Sequence, residues 1–128
     1  ESFTVTLWAK PTSTNGYASP ITSRNDVNGG ESTHGYIIYN DSSGYWNFWT
    51  GDGNPGWDTL SGDRVIVNEW IHLAISYDAE TETKTILING IQKGSDSAPN
   101  QYSLNGSVGA MDLHLGAGQD DGVGADRE

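Results

Sequence analysis

The chain has 128 residues, 34% of them hydrophobic and 10% aromatic, a size and make-up able to bury one core without covalent staples. Seventeen Asp and Glu against six Lys and Arg give a formal net charge of −11, which repels phosphate and anionic headgroups and argues against nucleic-acid binding and membrane insertion. With no cysteine, disulfides, Cys-based zinc sites and thiol catalysis are excluded together.

Seventeen glycines with abundant Asn, Asp, Ser and Thr are the composition of many strands joined by turns, so the expectation is an all-β chain. No apolar run suits a membrane span, and no signal peptide or initiating Met is visible. Because Glu1 already lies in the lead-in to a strand, residues 1–128 read as a single domain taken from a larger protein.

FTVTLWAK, from Phe3 to Lys10, alternates with Phe3, Val5 and Leu7 on one face and Thr4, Thr6 and Trp8 on the other, and Pro11 ends it. A short apolar patch from Ala18 to Ile21 follows. SRNDVNGGESTHG, residues 23–35, then reads as a long polar loop that places His34 at the surface. GYIIYNDSSGYWNFWTG reads as a hairpin turning at Asn40 to Gly44. Its second run puts Trp46 and Phe48 on one face, the better core candidates, and Tyr45, Asn47 and Trp49 on the other. After Gly51, GDGNPGWD has the chemistry of a loop, from which Trp57 projects among acids.

EWIHLAISYD puts Ile71, Leu73, Ile75 and Tyr77 on one face and reads as a central strand. TKTILINGIQKG carries the strongest local signal, two strand runs around Asn89-Gly90, whose residues accept the positive φ angles of a type I′ turn. Met111 to Leu115 supplies a last strand before the acid-rich tail GQDDGVGADRE. Trp8, Trp46 and Trp70 are assigned to the core. His72 and His114 fall within strands and read as packed face histidines.

FTVTLWAKP, NEWIHLAISYD, ILING and LHLGAG resemble, in order and spacing, the laminin G-like and pentraxin group. The resemblance implies a concanavalin A-like jelly-roll sandwich of two antiparallel sheets. Strands that related domains carry before Phe3 and after the acidic tail are not visible here. An incomplete roll would leave open edges, to be completed by another segment or another chain. GAGQDDGVG resembles the pentraxin calcium loop, which implies Gln119, Asp120 and Asp121 as ligands to Ca²⁺, with Asp26 and Asn28 as partners from the preceding loop. Such an ion takes about six to eight oxygens from converging segments.

Sandwiches of this kind bind sugars by combining a stacking ring with fixed polar groups. Trp57, Asp52, Asn54 and Asp58 supply that combination on one loop, and Trp49 leads into it. The expectation is therefore a non-catalytic, calcium-assisted carbohydrate-binding module from a bacterial extracellular or cell-surface protein, with a glycan or polysaccharide as partner. A structural or protein-interaction domain of an adhesin is the alternative. A fragment of a glycoside hydrolase or polysaccharide lyase is the less favoured reading, since a glycosidase would need a close carboxylate pair. The one dense acid row, Asp78, Glu80 and Glu82, reads instead as a solvated turn. Asn40-Asp41-Ser42 and Asn105-Gly106-Ser107 match the glycosylation triplet.

Overall fold

A computed structural model describes residues 2–14, 17–27, 32–97, 102–103 and 113–116, with side chains absent from the description at residues 25–27 and 32. The described strands are β1 (Phe3–Ala9), β2 (Ala18–Val27), β3 (Ser32–Asn40), β4 (Tyr45–Asp52), β5 (Asp58–Arg64), β6 (Ile71–Asp78), β7 (Thr83–Ile88), β8 (Ile91–Ser97) and β9 (His114–Leu115). They form a four-stranded sheet ordered β1-β6-β7-β8 and a five-stranded sheet ordered β5-β4-β3-β2-β9. Every pair is antiparallel. This is the expected all-β sandwich.

Alternation explains the packing. Ile71, Leu73, Ile75 and Tyr77 of β6 are buried, and the residues between them are half-exposed. With β1 and β7 as its neighbours, β6 is an inner strand, as its pattern implies. From the opposite sheet, Tyr36 and Ile38 of β3 and Trp46 and Phe48 of β4 meet it. Burying Trp46 and Phe48 stabilises the fold by about 1.5–3 kcal/mol each or more. Asn89 and Gly90 adopt φ of 52° and 79°, the type I′ hairpin geometry, and the turn is tied back to β6 by reciprocal bonds between residues 72 and 89. The β3–β4 turn is built on Asp41, whose carboxylate accepts from the amides of Ser43 and Tyr45 and from Asn47 Nδ2. Those bonds outweigh the effect of burial, which pushes the carboxyl up, and hold it below the usual range.

Several expectations are corrected. Trp8 and Trp70 are 64% exposed rather than core: Trp8 projects from the outer side of the four-stranded sheet, its ring 5.3 Å from that of His72 and tilted 58° to it, and Trp70 lies just before β6. Alternation had already put Trp8 opposite Phe3, Val5 and Leu7, and ring size does not override that geometry. The polar run after Ser23 continues as strand to Val27, because ladder bonds to β3 satisfy its backbone whatever its side chains. His34 lies in β3 and is 3% exposed, not at the surface. Asn40 is 1% exposed, so its triplet is no glycosylation site in the folded chain. β5 has no visible alternation in sequence: its inner face is Asp58, Leu60 and Gly62, and of these Leu60 alone is a buried apolar residue.

Candidate functional site

On the outer face of the five-stranded sheet, four aromatic residues form a row across consecutive strands. Tyr17, just before β2, lies 5.5 Å from Tyr39 of β3. Tyr39 meets Trp49 of β4 edge-on at 5.0 Å. Trp49 lies 6.4 Å from Trp57, with planes 32° apart. The row follows from register: Ile37 is opposite Trp49 and Tyr39 opposite Asn47, so Tyr39 and Trp49 are diagonal neighbours on one face, within reach of large rings. Tyr39 is buried, and burial first, then Asp41 and Tyr17, pushes its hydroxyl far above its ordinary value. It therefore stays a neutral hydroxyl at any physiological pH. Trp49 and Trp57 are half-buried, and the indole nitrogen of Trp49 is itself buried.

Beside Trp57 the chain turns through residues 53–56. Asp52 accepts from the backbone N–H of Asn54 at 2.9 Å and from its Nδ2 at 2.7 Å, which fixes both side chains at the exposed start of the turn. Thr33, fully buried on β3, supports the turn from beneath: its hydroxyl donates to the carbonyl of Gly56, its backbone N–H to the carbonyl of Asn54, and its own carbonyl accepts from Gly53. Gly53 sits directly on the His34 ring, where a Cβ would come within 2.7 Å. The loop expected to carry a ligand is thus a short, braced turn.

Asp58 differs from its neighbours. It points inward, and its carboxylate lies 2.6 Å from Nζ of Lys84, a β7 residue with no exposed surface. Burial pushes the Lys84 ammonium down, while Asp58 and then Asp96 pull it back up. Trp49 and Trp57 are therefore brought together on the outer face, Asp52 and Asn54 pair with each other in the turn before Trp57, and the Asp58 carboxylate is committed to Lys84. Tyr17, Tyr39, Thr33 and Lys84 did not figure among the expected site residues. Lys84 could have been found: it shares period two with the buried Ile86 and Ile88.

Of the expected calcium ligands, Asn28, Gln119, Asp120 and Asp121 lie outside the described residues, as does the side chain of Asp26. The backbone of Asp26 pairs with Thr33 near the end of β2. Gly116 bonds to Pro20, at the opposite end of that strand. Among the described residues, no three His, Asp or Glu side chains group as a metal site. Asp78, Glu80 and Glu82 lie at the β6–β7 turn, where the Asp78 carboxylate accepts from Ser2 and from the amides of Glu80 and Thr81.

Residues 1–126 match a laminin G family model described as the concanavalin A-like lectin/glucanases superfamily. The chain belongs to that superfamily. No curated protein matches it in sequence. Among solved structures, it is similar to the CBM40 of the Ruminococcus gnavus IT-sialidase, with a TM-score of 0.75 and 17% identity over 95% of this chain and 68% of that one. It is similar to the leech intramolecular trans-sialidase, with a TM-score of 0.67 and 20% identity over 93% of this chain and 18% of the other. The mouse laminin α1 LG4-5 domains give a TM-score of 0.58 at 13% identity, over 90% of this chain and 27% of theirs. At these identities the likeness establishes the jelly-roll sandwich. Among the described residues, no helix is long and apolar enough to cross a membrane.

Proposed function

We propose that this chain is a non-catalytic carbohydrate-binding module of an extracellular or surface protein, taking a glycan against Trp49 and Trp57. The observation that carries the reading is the pair of half-exposed indoles 6.4 Å apart beside the fixed Asp52–Asn54 turn. An indole face accepts the C–H face of a sugar ring, and a braced carboxylate and amide take its hydroxyls without an ordering cost. Support comes from the similar R. gnavus module, which is bound to α2,6-sialyllactose. Calcium at Asp26, Asn28 and Gln119 to Asp121 is a separate proposal that rests on the sequence resemblance, and the aromatic face works without it.

The test is a glycan array carrying sialylated and neutral oligosaccharides, probed with wild-type protein and Trp57→Ala. Retention that falls about tenfold or more in the variant supports the reading. Retention unaffected by the substitution, or silence with a loss of stability in the variant, favours an adhesin spacer instead.

A further inference from the structure

Lys84 is the one fully buried charged side chain among the described residues. It extends from β7 across the sandwich to the other sheet. Its ammonium donates to the Asp58 carbonyl at 2.7 Å and lies 3.2 Å from Thr50 Oγ1 and 2.6 Å from Asp58 Oδ2. The Phe48 ring centroid is 5.6 Å away. Thr50 and Asp58 are register partners, the first rung of the β4–β5 pair on the turn side. One cation thus grips residue 58 by both its backbone and its side chain, at the point where the chain leaves the turn that carries Trp57.

The braced 53–56 turn and the β4 ladder carry the backbone to that point, and Lys84 adds a side-chain tie at residue 58 itself. β5 is the edge strand of its sheet, and most of its residues are half-exposed or exposed. An apolar residue at position 84 would glue the sheets with no desolvation cost. It would not dictate where residue 58 stops, because apolar contact is not directional, whereas a charge-assisted pair has a narrow geometry. Asp58 faces inward and Trp57 lies against Trp49 on the outer face, so fixing one fixes the origin of the other.

We infer that Lys84 is a positioning residue: through Asp58 it holds Trp57 against Trp49 and so assembles the outer aromatic face from inside the sandwich. Its relevance to sugar binding rests on the function proposed above, but the positioning itself does not. The charged groups that face it are Asp58 from β5 and Asp96, its register partner on β8.

The test uses circular dichroism of the whole chain, in which two indoles at this separation give an exciton couplet. Trp57→Phe defines the signal without that pair. In Lys84→Met the couplet collapses to the Trp57→Phe level while the β-sheet signal persists. If Lys84→Met does not fold, Lys84→Met/Asp58→Asn removes both charges of the pair, regains the fold and still lacks the couplet. A folded variant of either kind that keeps the wild-type couplet overturns the inference. Titration with α2,6-sialyllactose and neutral oligosaccharides runs in parallel. Loss of the couplet together with affinity weakened about tenfold supports both claims. Loss of the couplet in a protein whose wild type binds none of these sugars upholds the positioning role and counts against the glycan reading.

Discussion

Replacing Asp58 with alanine removes the carboxylate that faces Lys84 at 2.6 Å. The ammonium has no exposed surface, and its remaining hydrogen-bond partners, the residue 58 carbonyl and the Thr50 hydroxyl, carry no charge. That leaves Asp96 on β8, a weaker influence than Asp58, as its one acidic neighbour among the described residues. An orphaned buried cation of this kind costs about 3–5 kcal/mol. A chain of 128 residues unfolds with an entropy of roughly 0.27 kcal/mol/K, so the melting temperature should fall by about 11–19 °C. Lys84→Met behaves differently. Methionine keeps much of the lysine stem's apolar volume, and the Asp58 side chain, 27% exposed, can turn to water, so the cost is about 1–2 kcal/mol. The double variant Lys84→Met/Asp58→Ala buries no charge and should return to within about 1 kcal/mol of wild type. Urea unfolding of the four proteins at neutral pH closes the cycle, with a coupling of about 3–8 kcal/mol. If Asp58→Ala costs only the roughly 0.5 kcal/mol of a surface change, or if the single effects simply add, the pair does not act as a buried unit and the reasoning fails.

Gly35 offers a second test. Its φ is +86°, and a Cβ there would meet the Ser23 carbonyl oxygen at 2.1 Å, so Gly35→Ala should cost about 3 kcal/mol or more through strain plus forced separation of β2 and β3. Gly56 shares that φ but has no neighbour within 4 Å, and Gly56→Ala should cost about 1–2 kcal/mol; equal effects in thermal melts would refute the steric account. Asp41, held below its ordinary value in the fold, contributes stability that is present above the unfolded carboxyl value of 3.8 and lost as pH falls through the folded one. Asp41→Asn should therefore flatten the acid limb of the stability curve, and an unchanged limb would contradict the turn network as its source. For calcium, a chelator should lower the melting temperature and Asp120→Ala/Asp121→Ala should abolish that response; an unshifted transition removes the ion from the account.

The fold was legible wherever one face alone decides a strand. Ile71 to Tyr77, the Asn89-Gly90 hairpin, and Trp46 with Phe48 carry their burial in a period of two, a local property that any register must respect. β5 was not legible, because its inner face is Asp58, Leu60 and Gly62 and its ladder bonds come from β4. Exposure of Trp8 and Trp70 was misjudged for a related reason. Alternation says which side a ring takes, but whether anything covers that side depends on the other layer.

The candidate site divides in the same way. Sequence by itself determined that Trp49, Asp52, Asn54 and Trp57 lie close along the chain, since a strand end and a five-residue turn keep them together. Tertiary structure alone decided that Tyr17 and Tyr39 extend the row, that Asp58 turns inward, and that His34 lies beneath Gly53. These depend on partners from 10 to 26 positions away in the chain, such as Trp49 to Tyr39 or Lys84 to Asp58. Which residues meet at such separations is set by sheet register and by the stacking of two layers, and no short window of sequence encodes either.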